Sequence, residues 1–344
     1  MIEGQTEAVQ AAVAPRKKVV LSGVQPTGGL HLGNYIGALS LWAQQQYEYQ
    51  NYFMIADLHA LTIPENIKAK ELRSNARSLA ALYIASGIDP EENVIFLQSA
   101  LPAHPYLAWV LGCVTPMGWL ERMTQFKYKS EQAVSVGTGL FAYPALQAAD
   151  ILLYQADYVP VGEDQRQHVE LTRDIAARFN SLFGSCFRLP EGLYRASGAR
   201  VMGFDDPTVK MSKSIAEERP GHAVRLLDPP NVIKKTIMSA VTDSGNEARF
   251  EHASPGVRNL LELYEVLTKE PREQIEQRFH GGGYGTLKKA VVEVVVEALR
   301  PIQERYHQIT SEAGYLDALL ARGAERAGIV AERTLAKARK LTGL

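Results

Sequence analysis

The sequence predicts an α/β fold: a Rossmann-like parallel sheet with a helical insertion, followed by an all-helical domain. Three observations carry this. Short apolar, β-branched runs alternate with amphipathic helical stretches from Val19 to about Asn180. Those runs are short and mainly apolar, as in strands covered on both faces. Beyond about residue 195 such runs stop, while helical periodicity goes on.

Taken in order, Val19–Val24 is a β-branched run that ends at Gly and Pro, and reads as a buried strand. A glycine-rich loop follows, then a helical stretch over about 33–46. Tyr52–Ala56 is the second strand. Over 68–86, Leu72, Ala76, Leu79, Leu82 and Tyr83 fall at helical spacing, with Gly87 as the stop. Val94–Leu97 is the third strand. Residues 104–138 do not return to a strand and read as a helical insertion. A helix over 144–154, a fourth strand over 158–161 and a helix over 163–180 complete the alternation. A polar loop then carries Lys210 to Ser214, and helical patterns run from Val232 onward. They are interrupted at Gly281–Gly283 and resume over 287–300, where Pro301 is expected to bend the chain.

Composition excludes several classes of function. With 344 residues, 46% hydrophobic and 22% charged, the chain has material for a full core and a soluble surface, and two domains are the natural division. No apolar stretch reaches the ~18 residues a membrane-spanning helix requires. The first residues lack the basic start and apolar run of a secretion signal, so a loose leader and a cytoplasmic location are expected. Two cysteines, Cys113 and Cys186, cannot form a disulfide framework or an all-cysteine metal site, and both are expected in the core. No metal-ligand set is expected. The formal charge of −1 means that any nucleic-acid partner must be held by local basic patches.

Two constellations point to chemistry. The first is Gln25-Pro26-Thr27-Gly28-Gly29-Leu30-His31-Leu32-Gly33-Asn34, between the first strand and its helix. Backbone N–H groups and the helix dipole attract an anion there, and His31 and Asn34, three apart, can face it together. A turn rich in glycine for steric reasons alone is the alternative. The second is Lys210-Met211-Ser212-Lys213-Ser214, two lysines on a polar loop that can follow charge developing on a triphosphate. Alone it would read as a solvated basic loop. A Walker phosphate loop and a zinc-protease helix are absent.

With both motifs in this order, the chain resembles the class I aminoacyl-tRNA synthetases, and within them the bacterial-type tryptophanyl-tRNA synthetases. The likeness extends from about Val19 to Leu344, including Ser22 to Gly37, Glu121 to Lys127, Ala148 to Tyr154, Val159 to His168 and Ala240 to Ser244. It implies ATP, with Mg2+, as a substrate; L-tryptophan and tRNA(Trp) as partners; and a homodimer. Gln25, Pro26, Thr27, Gly33 and Asn34 are implied to line the ATP site. Gly162, Glu163 and Asp164 are implied to approach the ribose and the amino acid, Val201 to offer its backbone to adenine, and Lys210, Met211, Ser212, Lys213 and Ser214 to grip the phosphates. The catalytic set is His31, Asn34, Lys210 and Lys213, with Lys129 a further candidate for the pyrophosphate. Asp150, with Gln147, Tyr143, Val159, Val161 and Gln165, is implied to hold tryptophan, Asp150 accepting from the indole N–H.

The residues themselves support these roles unequally. Glu163 and Asp164 also suit a helix start for dipole reasons alone. Asp150 lies in an apolar helix, where a carboxylate is costly unless hydrogen-bonded, and an indole N–H would supply a bond. Gln147 departs from the Met common at its position: either it bonds Asp150 or it points away. His59 and His104 stand near strand ends and read as structural. Arg333, Lys337 and Lys340 share a helix face, with Arg339 close by, which is either solvated or in contact with RNA phosphate. The expected division is a flexible leader (1–16), a catalytic domain (17–205, insertion about 104–138), a signature loop (206–220), a helical anticodon-binding domain (221–300), and C-terminal helices packing back toward the catalytic domain (301–344). The rival readings are a tyrosine-specific synthetase, another adenylating enzyme of the superfamily, and an RNA-binding paralogue that has lost catalysis.

Overall fold

The computed structural model describes residues 16–132, 135–194 and 200–344; the expected leader lies almost wholly outside them. Five strands form one parallel sheet: β1 (Val19–Val24), β2 (Gln50–Ile55), β3 (Val94–Leu97), β4 (Tyr158–Val161) and β5 (Glu191–Tyr194), in the order β3-β2-β1-β4-β5. Leu21 pairs with Tyr52 and Val20 with Tyr158, so β1 is flanked on both sides by later strands. The chain reverses its direction of winding at β1, and the loops after β1 and β4 diverge there to open a crevice at the strands' carboxyl ends.

The strands' side chains divide between two cores. Phe53, Ile55 and Ile95 face the helix Ala69–Ala85 and, beyond it, the later helical part. Leu21, Tyr52, Met54, Phe96 and Val159 face the helices Ala103–Val114, Thr138–Leu153 and Arg166–Phe183. At the opposite edge from the crevice, buried Asp157 accepts from Val19 N–H at 2.8 Å and from Arg16 at 2.7 Å, and also pairs with Arg188. These bonds fix where β1 begins. The C-terminal helix Tyr315–Thr342 returns to lie on β3, and Arg326 donates to the carbonyls of Pro90 and Asn93.

Four features differ from expectation. β5 was not foreseen: it is only four residues long, contains a glycine and is alternately exposed, as an edge strand can be. The helix ending at Leu153 begins at Thr138, with Pro144 inside it instead of opening it. The helix read over 287–300 is longer, spanning Gly283–Ser311 with Pro301 inside it. Cys186 is buried as expected, but Cys113 is exposed, on the outer face of Ala103–Val114.

Candidate active site

The glycine turn leaves β1 at Val24 and bends at Gly28, whose φ of +64° is a left-handed conformation open to glycine at little cost. His31 is extended and caps the helical run that starts at Leu32. Its Nδ1 accepts from Asn34 N–H at 3.3 Å, while Asn34 Oδ1 accepts from His31 N–H at 3.1 Å, a reciprocal capping box. This leaves the Asn34 amide and His31 Nε2 as the groups free to donate. Burial, with the positive charges of Lys213, Lys210 and His222 beside it, holds His31 down at about 3. The ring is therefore neutral near pH 7, and because Nδ1 accepts, the proton sits on Nε2. A continuous turn of π-helix, Tyr35–Leu39, follows within the same run.

The lysine loop lies directly across this turn. Lys210 bridges to Met202 in antiparallel fashion, and Met211 N–H bonds the Val201 carbonyl at 3.1 Å. Ser212 caps the short helix Lys213–Glu218, its Oγ accepting from Ile215 N–H at 3.4 Å. A Cβ built on Gly28 would stand 2.6 Å from the Glu217 carboxylate and 4.0 Å from Lys213 Cβ. Val201 is buried against the turn at Gly33. Burial pulls the half-buried Lys213 ammonium down to about 8, against the opposing pull of Glu217. Turn and lysine pair thus share one cleft.

A cavity of about 220 Å³ opens beside it, with Gln25, at the start of the turn, in its wall. Of the residues singled out in the sequence, Tyr143, Gln147, Asp150, Val159, Val161, Gln165 and Lys129 also line it. Leu21, Gly23, Met54, Ala56 and His59 complete much of its surface. Lys129 Nζ lies 5.1 Å over the Tyr143 ring, and burial lowers its pKa while nearby Asp164 opposes the shift. Tyr143 OH is bonded to buried His168 Nε2 at 2.7 Å.

Asp150 is only 1% exposed, and its bonding corrects the sequence-based picture of a carboxylate short of partners. His104 Nδ1 reaches Oδ1 at 2.6 Å, His59 Nε2 reaches Oδ2 at 2.7 Å, and the Gln98 amide bonds both oxygens at 2.8 and 3.0 Å. Tyr154 OH supports His104 Nε2 at 2.9 Å. Burial alone would raise this carboxyl, but hydrogen bonds from His104 and His59, with their charge, outweigh it and hold Asp150 at about 2. Gln147 shares the cavity wall with Asp150 but is not among these donors. His59 and His104, read as structural, and Gln98, not singled out at all, are the partners that make Asp150 tolerable. Their signal in the sequence was position: His59 and Gln98 both fall just past the carboxyl ends of strands.

The loop after β4 holds Gly162, Glu163 and Asp164. The Glu163 carboxylate is bonded by Arg166 at 2.5 and 2.9 Å and faces solvent, with Arg166 stacked 3.8 Å over Tyr194. Asp164 accepts from Gln165 at 3.1 Å, and its carboxylate lies against Gly162, where a Cβ would meet it at 2.5 Å. Arg225 and His222, near the turn, were also missed; neither stands in a recognisable motif.

A parallel sheet whose switch point carries a capped glycine turn, faced by a lysine loop and flanked by a side-chain-sized cavity, defines a nucleotide-binding fold of the class I synthetase kind. The family described as tRNA synthetases class I (W and Y) matches residues 15–300. Tryptophan–tRNA ligases of Wolinella succinogenes and Helicobacter pylori are 49% and 50% identical over 329 residues each, covering 95% of this chain and 99% of theirs. Tryptophanyl-tRNA synthetase from Campylobacter jejuni, solved with ADP and tryptophan, superposes with a TM-score of 0.85 at 35% identity, over 95% of this chain and all of its own. The Mycoplasma pneumoniae enzyme gives the same score at 37% identity. The chain belongs to the class I tRNA synthetases, in their bacterial-type tryptophanyl branch.

Proposed function

We propose that this protein is a tryptophan–tRNA ligase. It activates L-tryptophan with ATP to tryptophanyl-adenylate and transfers the aminoacyl group to the 3′ end of tRNA(Trp). The observation that carries this reading is the meeting of three parts in one crevice: the capped turn of His31 and Asn34, the lysine pair, and the cavity floored by Asp150. Relatives half identical over nearly the whole chain bear that name.

In this reading ATP enters as its magnesium complex, the ion riding on the phosphates as part of the substrate. Gln25 to Thr27, Gly33 and Asn34 lie along the nucleotide, residues 162–164 on the ribose side, and the Val201 backbone at adenine. Tryptophan places its indole toward Asp150, between Tyr143, Val159 and Val161. Because every lone pair of Asp150 is already engaged, the indole N–H takes the place of the cavity-facing His59 bond or shares it. The tryptophan carboxylate attacks the α-phosphorus in line, the bond to the β-phosphate oxygen breaks, and pyrophosphate leaves. Lys213 and Lys210 meet the charge growing on the leaving phosphates, while neutral His31 and the Asn34 amide donate to phosphate oxygens. A ribose hydroxyl of the terminal adenosine, the 2′-OH by class, then attacks the acyl carbon and AMP departs. The helical part, about 221–300, contacts the anticodon, the enzyme works as a homodimer, and its place is the cytoplasm. Among the described residues no helix is long and apolar enough to cross a membrane.

The decisive experiment is charging of total tRNA with labelled tryptophan, run beside ATP–pyrophosphate exchange with tryptophan and with tyrosine. Exchange and charging with tryptophan alone are expected. Tyrosine working as well, or neither amino acid working, would sink the reading.

A further inference from the structure

Residues 222–226 join the two halves of the nucleotide cleft. On one side their backbone is bonded to the glycine turn: Leu32 N–H donates to Val224 O at 2.9 Å, and Leu226 N–H to Leu30 O at 2.9 Å. On the other, the ring of His222 is wholly buried beneath the lysine loop. Its Nδ1 lies 2.5 Å from Asp205 Oδ1, and its Nε2 3.4 Å from the Lys210 carbonyl oxygen. Arg219, at the end of the loop helix, holds the other Asp205 oxygen at 3.6 Å. The site is shaped for this ring: a Cβ on Gly203 would stand 2.3 Å from His222 Cε1. Both ring nitrogens face acceptors. A neutral imidazole has one N–H and satisfies one of them; the imidazolium, with Asp205 as its counter-charge, donates to both.

We propose that His222 is a positioning residue for activation: clamped by Asp205, it ties the Lys210 backbone to the segment that holds the glycine turn, and so fixes the lysine pair over the phosphates. The proposal rests on the activation reading above. His222 touches no reacting atom; it acts through the loop. Its removal therefore changes where the lysines sit while leaving the tryptophan cavity, built on other elements, as it was.

The test uses the full chain with His222→Ala, His222→Gln and the volume-preserving Asp205→Asn. In tryptophan-dependent pyrophosphate exchange, His222→Ala is expected to lower kcat about 10- to 100-fold, the scale of loss from a displaced catalytic group, with the tryptophan KM unchanged. His222→Gln, which keeps a donor at similar reach, should restore part of the loss, and Asp205→Asn should fall between. Independently of turnover, trypsin should nick the lysine loop of His222→Ala about 10-fold faster than wild type, as expected for a segment whose local closing has lost one bond. Wild-type nicking together with wild-type kcat would overturn the proposal. So would a loss that raises the tryptophan KM as much as it lowers kcat, because that marks general damage. If the wild-type protein shows no exchange with tryptophan, the activation reading fails, and the nicking comparison still decides whether His222 tethers the loop.

Discussion

At the scale of a single residue, Asp150 carries a large desolvation cost and, in the proposed function, the recognition of the indole. With two oxygens facing four donated bonds, it is a buried charge held by geometry. Asp150→Ala strands the Gln98 amide and a His104 ring that is 0% exposed; removing one side of such a buried charged network costs about 3–5 kcal/mol, to be read as a lower urea midpoint. Asp150→Asn keeps the shape but turns an NH2 toward donors. It is expected to raise the tryptophan KM about 10- to 100-fold, one unmade buried bond; an unchanged KM would remove Asp150 from indole recognition. Lys213 is the second such residue. Lys213→Ala should lower adenylate formation by ~10²–10³ in kcat, the usual loss for one charge-stabilising donor, and unchanged exchange would remove the loop from the chemistry. Because burial holds its pKa at about 8, its charged form, the one that meets phosphate, prevails below that pH and is lost above it. The kcat/KM for ATP is therefore expected to fall as pH rises through about 8, and Lys213→Arg, always charged, should lose that limb. A wild-type profile flat well above pH 8 would contradict it. His31, Asn34, Lys213 and Asp150 were all legible in the sequence as residue types in a pattern. What was not legible is that Asp150 already has its partners, because His59, which follows β2, and Gln98 and His104, which follow β3, reach it only when these two connections converge on the helix Thr138–Leu153.

At the scale of elements, β1 to β4 could be read from apolar runs because their faces are largely covered by helices, which favours apolar side chains along most of their length. β5 escaped because an edge strand with one exposed face has no such requirement. The opposite edge, β3, is managed by packing. A Cβ on Gly323 would stand 1.8 Å from the Ile95 carbonyl oxygen, so the C-terminal helix lies against the strand as only glycine allows. Gly323→Ala must push the helix outward, and overpacking of this kind costs about 1–3 kcal/mol. Differential melting and faster hydrogen exchange of the β3 amides should report it; an unaltered melting temperature would mean the helix gives way freely. Cys113, expected inside, lies outside because helical spacing puts it in line with Tyr106 and Trp109, on the face turned from the sheet.

That same face matters for the whole molecule. Trp109 is 75% exposed, one helical turn from exposed Tyr106, and Met117, which opens the next helix, is 66% exposed. We propose this face as the contact of the homodimer. Trp109→Glu is expected to shift sedimentation from the mass of two chains toward that of one, and an unchanged dimer would place the contact elsewhere. The near-neutral total charge, in turn, means that the RNA contact we propose rests on local basic features; Arg333, Lys337 and Lys340 are exposed on the C-terminal helix.

The sequence by itself determined the class of fold, the order of its layers, and the glycine turn and lysine loop that face one another. Each of these is written in local pattern: hydrophobic period, glycine placement, spacing of charge. Only the tertiary structure decided who shares a hydrogen bond with whom across long stretches of chain. It set His59, Gln98 and His104 on Asp150, and buried His222 between Asp205 and Lys210. The physical reason is that a buried polar group is satisfied by whatever donors the packing of distant elements delivers, and no periodicity along the chain encodes that meeting.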